Sequence, residues 1–183
     1  MKKYTDEFVI KSLVSIFLVT TILFAGCTKP VEQQPETPQL TPEESAKATQ
    51  VLVEWFECEE CEAGELSAVT EYGEIVVPIL ISTLNEGPSP ASRELVRREL
   101  ETRYNELIAY SNEHPNVKLA SNKEEFVTIY LSNYVALYKV RAALALGEIG
   151  GMNAEQALKS ALNNADRGDV RSSIQNALDN INQ

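Results

Sequence analysis

The chain has 183 residues, a formal net charge of −11 and three cysteines. That length gives room for one modest domain, whose core can stand without disulfides or metals. Residues 1–26 set Lys2, Lys3 and Lys11 against Asp6 and Glu7, a balance of +1, so the remainder stands at −12. A surface that negative repels phosphate backbones, which excludes nucleic acid as a natural partner. It also disfavours peripheral binding to anionic lipid, so membrane attachment needs another device.

The N-terminus supplies one. Lys2 and Lys3 open a weakly basic segment, and Lys11 is the last charge before the apolar run Ser12–Phe24. The run is shorter than the roughly 20 residues a bilayer span needs, but it has the length of a signal-peptide core. It ends Leu23-Phe24-Ala25-Gly26-Cys27. Small residues just before a cysteine resemble the bacterial lipobox, although Phe24 stands where that pattern usually has Leu, Val or Ile. The resemblance implies cleavage between Gly26 and Cys27 and fatty acylation of Cys27, for instance with palmitate. Two other readings fit the same run: an uncleaved anchor, or an ordinary signal peptide with Cys27 incidental. Residues 28–41 are polar and proline-rich and cannot bury a core. At about 3 Å per residue they make a spacer reaching roughly 40 Å. The division is therefore 1–26 signal peptide, 27–41 lipidated cysteine and linker, and 42–183 folded domain.

The folded part reads as helix after helix. Thr41-Pro42-Glu43-Glu44 is a capping box with proline in the first helical position, opening a helix through Val51, Leu52, Trp55 and Phe56. A second helix is expected over Glu62–Tyr72, stopped by Gly73, and a third over Val76–Glu86 between Pro78 and Gly87. Ser89-Pro90 starts a long fourth, with Leu95, Leu100, Tyr104, Leu107 and Ile108 as its apolar positions. His114-Pro115-Asn116 marks a loop. Ser121 and Glu124 form a further capping box, opening a fifth helix to Ile149 that Gly150-Gly151 ends. Asn153 starts a sixth helix and Asp169 caps a seventh. No alternation of period two appears, so no sheet is expected.

Two stretches align with each other. Leu66–Gly73 with Val77, Leu80 and Leu84 matches Ala142–Gly150 with Ala154, Leu158 and Leu162. Each is a small-residue-rich helix, a glycine turn and a second helix with aliphatic anchors. Asp169-Val170-Arg171, with Ala177, Leu178 and Ile181, looks like the start of a further unit. Such pairs leave an apolar face open and must stack. On Val140-Arg141-Ala-Ala-Leu-Ala-Leu-Gly147-Glu-Ile-Gly150 and Asp169-Val170-Arg171, residues 64–87 and 138–181 resemble the HEAT-repeat family, within it the short repeats of the phycobilisome-lyase type. The resemblance implies an all-α fold of stacked hairpins, either a short α-α superhelix or a compact bundle, interrupted by two long helices over 88–137. It also implies structural roles for Arg141, Arg171, Gly147 and Gly150, the arginines bonding across stacked helices. It carries little about function.

Candidate sites are few. Cys58 and Cys61 lie one helical turn apart, and in an exported chain a disulfide is the first reading. A reactive thiolate is disfavoured by the four neighbouring carboxylates, and no second cysteine pair completes a zinc site. Phe126, Tyr130, Tyr134 and Tyr138 recur every four residues, which suits core and boundary packing better than an aromatic binding face. Arg93, Arg97, Arg98 and Arg103 alternate with glutamates as a solvated, salt-bridged face would. His114 alone makes no catalytic triad. No catalytic residue, metal ligand or cofactor is assigned. The expectation is a non-catalytic interaction module, lipid-anchored on the exported side of a membrane and holding another envelope protein. In a cell with two membranes it would sit on the outer one, facing the periplasm. The alternatives are a lyase-like enzyme, or a redox or metal protein using Cys58 and Cys61.

Overall fold

The computed structural model describes residues 41–58 and 63–183. Within them run α1 (Pro42–Glu57), α2 (Ala63–Thr70), α3 (Val77–Glu86), α4 (Pro90–Glu113), α5 (Lys123–Ile149), α6 (Gly151–Asn164) and α7 (Gly168–Ile181), with a 3-10 turn at Gly73–Ile75. No strand occurs among the described residues, so the all-α expectation holds.

Local chemistry sets most of the boundaries. Thr41 caps α1 as expected: its hydroxyl accepts from the Glu44 N–H, and the Glu44 carboxylate accepts from the Thr41 N–H at 2.9 Å. Five boundaries differ from the sequence reading, the smallest at α3, which starts at Val77 with Val76 as its cap. The second helix ends at Thr70, because Gly73, at φ 51°, starts a 3-10 turn. The box at the head of α5 is Asn122 with Glu125, one residue later than Ser121 with Glu124, because the extended backbone an N-cap needs falls at Asn122 (φ −77°, ψ 173°). α6 starts at Gly151 directly after the Gly150 cap. Asp169 lies inside the first turn of α7 instead of capping it. Its carboxylate accepts from the Val170 N–H and is held by Arg167.

α5 is the axis of the domain and touches each of the other six α-helices. Its C-terminal half provides the surface that makes this possible. Ala142, Ala143, Ala145 and Leu146 are fully buried, and small side chains let neighbouring backbones come close. Leu144, between them in the chain, is 39 % exposed. α7 comes close at Gly147, where a Cβ would lie 2.7 Å from both Cα and Cβ of Ala177. Asn180 of α7 donates to the Gly147 carbonyl at 3.2 Å, satisfying one of the carbonyls that the helix end leaves open. Leu80, Val76 and Val69 fill the other side of the core with Leu158 and Ile174.

α4 is different. It packs chiefly on α5 and buries only Tyr104, whose hydroxyl donates to the Ser121 carbonyl at 3.0 Å. Leu95, Leu107 and Ile108 remain exposed.

Candidate binding cleft and the polar joint at Arg141

Five elements meet at one open cleft of about 670 Å³: the end of α3, the start of α4, the middle of α5, the end of α6 and the start of α7. Its floor is aliphatic, with Leu84, Leu131, Val135, Val170 and Ile174. Its rim carries Arg93, Arg97, Lys139 and Arg167 against Glu94 and Asp166. Four of the twelve Lys and Arg residues between 41 and 183 therefore collect around one cleft of a strongly acidic chain.

Two of these cations are fixed by the helix ends they serve. The Lys139 ammonium donates to the Asn85 carbonyl at 2.8 Å, closing the last turn of α3. The Arg167 guanidinium grips Asp169 through Nε at 3.1 Å and Nη2 at 2.6 Å, and reaches across to Ser132 Oγ at 2.9 Å and Asn133 Oδ1 at 3.2 Å. Arg167 holds the Asp169 carboxyl down to about 2, well below its ordinary value, and its own pKa is raised in return. Arg97 pairs loosely with Glu94 at 3.6 Å, while Arg98 takes the same carboxylate at 3.0 Å. Arg93, half-buried, has no carboxylate within ion-pair distance among the described residues. Asn85 and Thr128 line the cleft with side chains that make no hydrogen bond among the described residues.

The sequence reading placed Arg93 on a salt-bridged face, and the structure corrects that. It also passed over Lys139 and Arg167. A signal for Arg93 was available: positions three and four residues away hold Pro90, Ser89, Val96 and Arg97, so no acid is spaced to pair with it. Arg98 has Glu94 at that spacing and pairs with it, whereas Arg103, with Glu99 and Glu106 at that spacing, makes no ion pair among the described residues. For Lys139 and Arg167 no local signal exists, since their role comes from elements far apart in sequence.

A second polar cluster joins α1 to α5. Arg141 is only 7 % exposed and donates to the Phe56 carbonyl at 2.5 Å and the Cys58 carbonyl at 2.6 Å. α1 has no basic residue in its last turn, so a side chain from α5 closes its C-terminus. Burial lowers the Arg141 pKa from its ordinary value, and the nearby Glu57 charge works against that. Trp55 Nε1 donates back to the Arg141 carbonyl at 3.2 Å, and the guanidinium lies 5.9 Å from the Trp55 ring centre. Beside it the Glu57 carboxylate accepts from the hydroxyls of Tyr134, at 2.9 Å, and Tyr138. Tyr138 stacks on Phe56 with ring centres 4.9 Å apart. The aromatic series is therefore packing at Phe126, Tyr134 and Tyr138, while Tyr130 is 51 % exposed. Arg171 does a smaller version of the Arg141 task, donating to the Ala165 carbonyl where α6 ends. Gly150, at φ 69°, is the C-cap of α5.

Cys58 Sγ lies 3.1 Å from the Trp55 carbonyl oxygen, but Cys61 lies outside the described residues, as do Gly26, Cys27, the apolar run and the linker. Among the described residues, no group of three or more His, Cys, Asp or Glu side chains is placed to hold a metal ion. No helix among them is long and apolar enough to cross a membrane. Comparison with protein-family models, with curated proteins and with solved structures finds no match.

Proposed function

We propose that the chain is a membrane-tethered interaction module: a HEAT-like helical stack, held to the membrane by lipid on Cys27, that binds a segment of another envelope protein and catalyses nothing itself. The observation that carries the reading is the open cleft, with an aliphatic floor and a cationic rim built from five helix segments. Rigid helical scaffolds offer such surfaces to protein segments.

The stacked arrangement has its own support. α2 with α3 and α5 with α6 follow each other as helix pairs, and helices in equivalent places touch: α2 with α5, α3 with α6, and α5 with α7. The two recurrent arginines each close the C-terminus of another helix, Arg141 across to α1 and Arg171 at the neighbouring α6. The tether rests on Leu23–Cys27 and the proline-rich linker behind it. The Cys58–Cys61 disulfide belongs to the same proposal, because an exported chain meets an oxidising compartment.

Two measurements test the reading. Membranes from cells making the full chain are washed with concentrated salt; a diacyl or triacyl cysteine should keep the protein bound, since each buried CH₂ contributes about 0.8 kcal/mol. Cys27→Ser should leave an unprocessed or freely soluble form. Wild-type protein that washes off would refute the tether. A photocrosslinking residue at Thr128, in the cleft, should then yield one discrete protein adduct in living cells. If Lys159, on the exposed surface of α6, gives the same adducts as Thr128, the cleft is not the binding surface.

A further inference from the structure

We infer that the cleft takes an acidic peptide segment in which an aliphatic side chain stands among carboxylates. The inference rests on the interaction-module reading and names its partner chemistry. Three features of the cleft fit that ligand together. The rim has four cations against Glu94, Asp166 and the Asp169 that holds Arg167, a balance of +1, while the whole chain carries −11, so the cleft is a locally cationic spot on an acidic chain. Arg93 is the group best placed to meet a carboxylate: half-buried, with no carboxylate partner among the described residues, it presents a planar set of donors for a bidentate bond. The floor between the cations is aliphatic, from Leu131 and Val135 across to Val170 and Ile174.

The walls decide between a peptide and other anions. Asn85 and Thr128 present unused amide and hydroxyl groups. A peptide main chain can pair with them, whereas a fatty acyl chain would bury them without partners, at a cost. A nucleic-acid strand would run its phosphates beyond the cleft onto a surface of like charge. A short acidic segment meets only the rim. Lys139 is already positioned by the Asn85 carbonyl, so its charge is offered with little further ordering, while Arg167 is engaged by Asp169, Ser132 and Asn133 and shapes the wall.

The test uses the full chain, extracted in mild detergent, and a short fluorescein-labelled peptide of glutamates interrupted by leucine. Anisotropy should show saturable binding that weakens as salt is added. Arg93→Gln should weaken it about ten-fold, the size expected for one charge-assisted hydrogen-bond pair. Arg93→Lys should keep part of the affinity, and Arg103→Gln, on the same helix but outside the cleft, should change it less than about two-fold. A peptide with every glutamate replaced by glutamine should not bind. Circular dichroism melting of each variant verifies that it folds, so a lost signal is read as lost binding. The inference fails if Arg93→Gln binds like wild type or if the glutamine peptide binds equally well. It also fails if oleate displaces the peptide and itself depends on Arg93. A protein adduct at Thr128 without peptide binding overturns this inference and leaves the interaction module standing. No adduct at Thr128 overturns the module itself.

Discussion

Gly147 gives the most direct test of the packing. In an exposed helix interior, Gly→Ala stabilises by about 0.8–1 kcal/mol, because alanine loses less backbone freedom on folding. At Gly147 the added methyl would sit 2.7 Å from Ala177 Cα and Cβ and 3.1 Å from the Ala177 carbonyl oxygen. Carbon atoms pack at about 3.5–4.0 Å, so the overlap is about 1 Å and involves backbone that cannot rotate away. α5 and α7 would have to part along a wide contact, stretching the Asn180 bond to the Gly147 carbonyl as they do so. Overpacking costs about 1–3 kcal/mol and rigid neighbours put this case at the upper end, leaving a net loss of about 1–2 kcal/mol. For a domain of this size the melting temperature should fall by about 3–8 °C. Gly64, on α2, is the internal control: nothing lies within 4 Å of its added Cβ, so Gly64→Ala should hold or raise the melting temperature. Thermal melts by circular dichroism in one buffer would read both. A Gly147→Ala variant as stable as Gly64→Ala would mean that α5 and α7 do not meet at that point.

Further outcomes follow from the Arg141 joint and its surroundings. Arg141→Met removes two bonds to the end of α1 from a buried position and should cost about 2–4 kcal/mol in urea unfolding, while Arg141→Lys, able to reach one carbonyl well, should cost less. An unchanged midpoint for Arg141→Met would remove the joint from the account of stability. Tyr138 and Tyr134 are pushed above their ordinary pKa of 10.0, first by burial and then, for Tyr138, by its bond to Glu57. Their folded state holds the proton more tightly than the unfolded chain does, so this stability is present below pH 10 and drains away above it. Melting temperature should drop on the alkaline side, and Tyr138→Phe should flatten that drop; an equal slope in both proteins would contradict it. Mass spectrometry under non-reducing conditions should find Cys58 bonded to Cys61 in protein from cells. The double Ala variant should keep nearly all its helical signal, since so short a loop contributes little on closure.

How far the sequence could be read depended on the distance over which each feature is decided. The Thr41 and Glu44 box is local, and the structure has it where the residues suggested. The head of α5 is also local, but Ser121 with Glu124 and Asn122 with Glu125 satisfy the same pattern, and only the backbone angle at Asn122 separates them. Ala142 to Leu146 are consecutive apolar residues that go right round the helix, so nothing in the run marks Leu144 as the one turned outward. Leu95, Leu107 and Ile108 show the same limit: an apolar residue states a preference, and whether anything covers it is decided elsewhere. Arg141 was legible as a structural arginine, but its partners at Phe56 and Cys58, some 85 residues earlier, were not. The cleft was hidden for a stronger reason. Its cations come from α4, α5 and the start of α7, and no window of sequence contains them together.

The position of α5 at the centre has a bearing on how the chain reaches its native state. Its neighbours lie on both sides of it in sequence: α1, α2, α3 and α4 come before, and α6 and α7 come after. The α5 surface at Gly147 cannot be covered until Ala177 of α7 has arrived. A chain delivered N-terminus first, whether from a ribosome or through a membrane pore, would form the earlier hairpins before the broad α5–α7 contact can close. Such a chain stays threadable until α7 has emerged.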